Sequence, residues 1–189
     1  MRKCNDRKKT LKFITQKKIF SKMREIYRVK VNLRRKQPLI FIKMAKKIII
    51  GGDHAGIAYK KHIVENLKNE GYEVEDVGPF EEGVSVDYPD FAHQVGKKVQ
   101  DNPDSYFGIL ICGSGNGVAM TANKYSNVRA GLCWTEEIAA LARQHNDANV
   151  LAMPARFISL DEAMKITHTF LRTDFEGGRH ANRVNKICP

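Results

Sequence analysis

The stretch Ile109-Leu110-Ile111-Cys112-Gly113-Ser114-Gly115-Asn116-Gly117 sets a thiol between an apolar run and a loop with glycine at every second position. A run such as 106–111 suits a strand buried on both faces of a parallel sheet. Cys112 then stands at the strand's carboxyl end, and the glycines let backbone N–H groups approach and hold negative charge. A thiol beside an anion-holding loop can act as a base or a nucleophile, and the same amides favour the thiolate that such a role needs. A cysteine in that position also serves simply as a small hydrophobe, and the glycines as a tight turn. The loop matches no phosphate signature: the Lys of G-x-x-x-x-G-K-[ST] is missing, and the third glycine comes too early for G-x-G-x-x-G. Val118 stands where a cysteine phosphatase needs an arginine. Alone, the stretch marks a site without naming a reaction.

Other polar groups are expected with it at the carboxyl ends of strands, where open α/β sheets bind ligands. Asp53 and His54 follow the first strand, and Ser114 follows the third. Arg143-Gln144-His145-Asn146-Asp147 lies between a helix and the fifth strand, and Arg156 follows that strand. The tail Glu176-Gly177-Gly178-Arg179-His180-Ala181-Asn182-Arg183 places Arg179 and Arg183 on one helix face. Each has a plainer reading as a turn device, a helix end or a solvated face. Together they bring two histidines, an aspartate, a thiol, anion-cradling amides and several arginines, with no metal set and no dinucleotide fingerprint. His62, His93 and His168 fall inside helices and read as structural or surface groups.

The elements that must position these groups alternate strictly. Strands are predicted at 46–50, 72–77, up to Cys112, 128–134 and 149–153. Helices are predicted at 57–70, closed by Gly71, at 90–100, 118–125 and 136–146 after Thr135 as N-cap, and from the capping box Ser159-Leu160-Asp161-Glu162 to Leu171. Residues 78–89 read as a turn-rich excursion. Five strands joined by helical right-handed crossovers give an α/β fold, a doubly wound, Rossmann-like parallel sheet in a three-layer αβα sandwich.

Composition agrees with a globular protein: 189 residues, 42% apolar and 28% charged. No apolar run approaches the roughly 18 residues that span a membrane. The four cysteines show no C-x-x-C spacing, which points to a reducing, cytoplasmic setting rather than a disulfide framework or a zinc site. The net charge of +11 is concentrated at one end: residues 1–43 hold 16 of the 32 Lys and Arg but only two of the 21 acids, leaving the remainder at −3. Such an arm suggests a nucleic-acid or membrane contact or a targeting peptide. Alternatively the arm is a disordered extension, or, because Met44 followed by Ala45-Lys46-Lys47 and a strand looks like an ordinary start, 1–43 is basic upstream sequence that is not translated, and 44–189 is the folded domain.

Residues 46–187 resemble ribose-5-phosphate isomerases of the B type, in the family that includes galactose-6-phosphate isomerase subunits and allose-6-phosphate isomerase. The resemblance rests on Gly-Asp-His-Ala-Gly at 52–56, Asp-Tyr-Pro at 87–89, Ile-Cys-Gly-Ser-Gly at 111–115, Arg-Gln-His-Asn-Asp at 143–147 and Glu-Gly-Gly-Arg-His at 176–180, in order and spacing. It implies interconversion of ribose 5-phosphate and ribulose 5-phosphate in the pentose phosphate pathway, by ring opening and enediolate proton transfer without metal or organic cofactor. By the same resemblance Cys112 is the base, Ser114 assists at the sugar and His145 opens the ring. Asp53 holds sugar hydroxyls. His54, Arg156, Arg179 and Arg183 contact the phosphate, and Asn146 the substrate or enediolate. The amides of Gly113, Gly115, Asn116 and Gly117 face the developing oxyanion. Asn116 stands where relatives often carry an apolar residue. The family's sites lie between two subunits, so a homodimer or a dimer of dimers is expected, with a small-molecule sugar phosphate as partner and neither membrane nor nucleic acid. A six-carbon sugar phosphate, allose 6-phosphate or galactose 6-phosphate, would use the same parts, and a non-catalytic sugar-phosphate or nucleic-acid binding protein is the reading from another class.

Overall fold

The computed structural model describes residues 46–187, so the expectations for the 1–43 extension lie outside the described residues. Five parallel strands, β1 (Lys47–Gly52), β2 (Val74–Asp76), β3 (Tyr106–Cys112), β4 (Ala130–Leu132) and β5 (Val150–Pro154), form one sheet in the order β2-β1-β3-β5-β4. The helices are α1 (Ile57–Asn69), α2 (Tyr88–Asp101), α3 (Asn116–Ala122), α4 (Glu136–Asn146), α5 (Leu160–Arg172) and α6 (Arg179–Val184), with a 3-10 turn at His54–Gly56.

Alternation along the strands divides the core between two faces. Ile48, Ile50, Ile109, Ile111, Leu151 and Met153 pack with Ile63 and Leu67 of α1, Ala139 of α4 and Ile166 and Phe170 of α5. Ile49, Leu110, Cys112, Val150 and Ala152 face Ala92, Val95 and Val99 of α2 and Val118 and Ala122 of α3. Helices therefore cover both faces, the doubly wound three-layer arrangement that the sequence pattern implies. Cys112 belongs to the second face.

Several local devices match the sequence reading. Thr135 caps α4 by accepting from the Ile138 N–H, and Ser159 with Glu162 forms the capping box of α5. Gly71 takes φ 88° just past α1. Most boundaries shift by one to three residues, and β2 keeps only three of the six residues predicted at 72–77. Helix α2 begins at Tyr88 rather than Asp90, because Pro89 falls in its first turn, where a missing N–H costs nothing. Strand β4 is three residues long rather than seven, because it lies at the sheet edge and pairs only with β5. None of the helices among the described residues is long and apolar enough to cross a membrane.

Candidate active site

Strands β1 and β3 are neighbours whose onward connections run to opposite sides, which opens a crevice at their carboxyl ends. Register brings Gly52 opposite Ile111 and Cys112 opposite Pro154, so the residues that follow all three strands meet there. Asp53 donates its N–H to the Ile111 carbonyl at 3.0 Å, and its carboxylate accepts from the N–H groups of Ala55 (2.9 Å) and Gly56 (3.2 Å). That bonding buries the carboxylate and fixes the turn that presents exposed His54. The approach of this turn to β3 is very close: a Cβ on Gly52 or Gly56 would lie 2.2 or 2.5 Å from the Ile111 carbonyl oxygen.

Cys112 is buried, and its Sγ accepts the N–H of Gly115 at 3.1 Å. Gly115 has φ 76°, a left-handed conformation that folds the loop back over the sulfur and starts α3. Ser114 and Asn116 stand exposed on the loop, with the Ser114 hydroxyl accepting the Asn116 N–H at 3.4 Å. Arg156 is held by its own N–H, which donates to the Gly113 carbonyl at 3.2 Å, and its guanidinium lies across Gly113. Tyr88 lies in the same way across Gly117, where a Cβ would come within 2.5 Å of the ring. Tyr88 was not among the site residues read from the sequence, although Asp-Tyr-Pro at 87–89 was one of the recognised motifs. Its only signal was that motif.

The other expected residues gather elsewhere. Helix α4 runs back towards the amino end of β5, so His145 and Asn146 sit at the opposite end of the strands from Cys112. Gly108 bonds the Asn149 carbonyl, and the four steps from Gly108 to Cys112 alone span about 13 Å of strand. The expectation that all the polar groups share the carboxyl ends is therefore corrected: a segment that follows a helix and precedes a strand lies at the amino end.

That second cluster is firmly built. Asp147 closes α4 with φ 45°, and its carboxylate takes Arg129 Nη2 at 2.7 Å and Arg143 Nη1 at 2.8 Å. Buried Arg143 also donates to the carbonyls of Ala148 (2.6 Å) and Thr173 (3.2 Å). Arg129 reaches the Asn146 and Asp147 carbonyls at 3.1 and 2.9 Å. Glu176 donates its N–H to the Gln144 carbonyl, tying the tail to α4. The tail turns at Gly177 and Gly178 (φ 67° and 54°), and α6 sets the His180 ring flat against that of His145, with centroids 4.2 Å apart and planes 3° from parallel. The Nε2 atoms of both histidines lie 3.8 Å from Glu176 Oε2, and Arg179 Nε donates to His180 Nε2 at 3.4 Å. Burial, then the charges of His145, Arg179 and Arg183, hold the His180 pKa below the ordinary histidine value, against the pull of Glu176. Exposed Arg179 and Arg183 share α6 as expected. His180 and Glu176 escaped the sequence reading as site residues, since nothing local marks a ring that stacks on another 35 positions away.

The described residues thus form two separate polar clusters. The first has a thiol, an amide-rich loop, an aspartate, a histidine and an arginine; the second has a histidine pair, an amide side chain and two arginines.

A family model described as Ribose/Galactose Isomerase matches residues 48–187. A probable ribose-5-phosphate isomerase B of Mycoplasma genitalium is 49% identical over 144 residues, covering 76% of this chain and 95% of the relative. The ribose-5-phosphate isomerase B of Escherichia coli is 43% identical over 142 residues, covering 75% and 94%. Among solved structures, the crystal structure of the Mycoplasma genitalium enzyme with bound ribulose-5-phosphate is similar with a TM-score of 0.74 over 76% of this chain and 95% of that one. The Clostridium thermocellum ribose-5-phosphate isomerase B is similar with a TM-score of 0.71 at 46% identity, covering 75% and 94%. With all of the sheet but its first residue, and both polar clusters, inside the matched span, the chain belongs to the ribose/galactose isomerase family.

Proposed function

We propose that this chain interconverts ribose 5-phosphate and ribulose 5-phosphate, with each complete site assembled from the carboxyl-end cluster of one copy and the amino-end cluster of another. The observation that carries the reading is the Cys112 thiol seated under the Gly115 amide at the mouth of the glycine loop. Ring opening comes first, because the C2 proton becomes acidic only when C1 is a free carbonyl. His145 protonates the ring oxygen and accepts the proton of the C1 hydroxyl, a double duty that suits an imidazole near neutral pH. Cys112 then removes the C2 proton and returns it at C1. The amides of residues 113–117, with Ser114 and Asn146, hold the enediolate oxygens, and Asp53 the sugar hydroxyls. His54, Arg156, Arg179 and Arg183 grip the phosphate, and that binding positions C2 over the sulfur.

The separation of the clusters along the strands supports the two-copy reading. Support for a partner comes from the β4 edge, where a groove of about 610 Å³ lined by Arg129, Ala130, Asn146 and Ile187 opens beside the second cluster. Met120, Trp134, Leu141 and Ile187 are exposed on the elements around it. Burying such side chains against a second copy is favourable, and a two-fold axis makes two identical composite sites. The buried free thiols of Cys112 and Cys133 fit a reducing compartment, and we place the reaction in the cytoplasm, within the pentose phosphate pathway.

A coupled assay with ribose 5-phosphate, allose 6-phosphate and galactose 6-phosphate tests the assignment. Turnover is expected to favour the pentose. A kcat/KM higher for either hexose would move the chain to the six-carbon branch of its family.

A further inference from the structure

We propose that His145, Glu176 and His180 form a binding site for a divalent transition metal of zinc-like character, whose occupancy blocks the isomerase. Each residue offers one ligand atom, and the three atoms lie within 4.8 Å of one another. Two imidazoles and a carboxylate are the donor set of three-ligand zinc sites, which leave a fourth position open. Zn–N bonds of about 2.0–2.1 Å in a tetrahedron put neighbouring donors about 3.3 Å apart. The 3.8 Å between Glu176 Oε2 and each Nε2 is about half an ångström wider.

The parts that must move are able to. Glu176 is exposed, and it precedes the Gly177–Gly178 turn that carries His180. The two rings are parallel, so one must tilt for their lone pairs to converge, and His145 is only half-buried at the end of α4. His180 Nε2 accepts from Arg179 Nε at 3.4 Å, so it carries a lone pair, and a metal would have to take that lone pair over from the guanidinium. Arg179 and Arg183 oppose a dication, and Glu176 offsets part of that charge. Binding is therefore weaker than at a closed four-ligand site and readily reversed by chelation.

Metal binding needs only these three residues. Its inhibitory consequence rests on the ring-opening role given to His145: a lone pair donated to a metal can neither take nor give a proton.

The test titrates the full, tag-free, reduced chain with Co²⁺ alone and follows its visible absorption. One Co²⁺ per chain is expected, with tetrahedral bands, no thiolate charge-transfer band and displacement by Zn²⁺. Glu176→Gln and His180→Asn should each weaken binding at least about tenfold. No saturable binding, a thiolate band, or unchanged binding in Glu176→Gln would overturn the site. In the coupled assay, Zn²⁺ should inhibit the wild type over the concentration range in which it displaces Co²⁺, and a chelator should restore turnover. Equal sensitivity in Glu176→Gln would place zinc on Cys112 and overturn the proposed mode of inhibition. Binding that Glu176→Gln abolishes, with wild-type turnover untouched by the metal, keeps the site and instead removes His145 from ring opening.

Discussion

Asp147 is the point where local strain, charge and function meet, and its replacement separates the three. Its φ of 45° is left-handed, which costs a residue with a Cβ about 1–2 kcal/mol. Its carboxylate neutralises Arg129 and Arg143 at 2.7 and 2.8 Å. Breaking a buried pair from one side costs about 3–5 kcal/mol. Asp147 is a third exposed and Arg143 keeps its bonds to Ala148 and Thr173, so screening lowers this to about 2–3 kcal/mol. Asp147→Gly loses the pairs but relieves the backbone; Asp147→Ala loses the pairs and keeps the strain; Asp147→Asn keeps the shape and the tolerance of left-handed φ. At about 2–4 °C of Tm per kcal/mol for a domain of this size, Asp147→Ala should lower Tm by about 5–10 °C, and Asp147→Gly by about 3–5 °C less than that. The turn also carries His145 and Asn146, so all three variants should lose kcat on ribose 5-phosphate more than they raise KM. Thermal unfolding with steady-state kinetics on the same preparations measures both. Equal Tm values for the Ala and Gly variants would remove the strain argument, and a wild-type kcat in all three would show that the clamp does not position His145.

Gly56→Ala should be among the most damaging single-methyl additions, since its Cβ would meet a backbone oxygen at 2.5 Å; a denaturant midpoint within error of wild type would contradict the packing of the Asp53 turn on β3. Arg179→Ala and Arg183→Ala should mainly raise KM, because phosphate contacts form before the chemistry, and unchanged kinetics in both would make them a solvated face. His180 titrates below its unfolded value, so the unfolded chain takes up that proton first as pH falls. The stability it contributes is complete above about pH 6.5 and is lost as pH falls from there through the lower folded-state value. His180→Asn should flatten this part of the Tm–pH profile, and an unaltered slope would refute the assigned shift.

Much of this arrangement could be read in the sequence because it is local. The run into Cys112, the glycine loop, the Asp53 turn and the Ser159–Glu162 box are each set by neighbours within a few residues, and their chemistry follows from residue type. The arginines of α6 were legible from a spacing of four. What escaped depends on contacts between distant segments. Tyr88 matters through Gly117, and His180 through a ring on another helix. The short β4 reflects its place at an edge, which no pattern within 128–134 encodes. The division of the polar groups between the two ends of the sheet was present in the order helix, His145, strand five, but the expectation of one shared crevice overrode it.

A catalytic site that takes Cys112 from one copy and His145 from another can be rebuilt from two inactive variants. Cys112→Ala and His145→Asn each remove one partial site from every protomer, and a positioned acid or base contributes about 10²–10⁴-fold, so either variant alone should be nearly inactive on ribose 5-phosphate. Co-expressing the two with different tags yields hybrids in which one composite site is doubly altered and the other intact. Random two-fold pairing predicts recovery to about a quarter of wild-type turnover, and about half in purified hybrid dimers. Recovery to that level confirms the shared site; hybrids as inactive as their parents would show that Cys112 and His145 act within one chain or not in the same reaction.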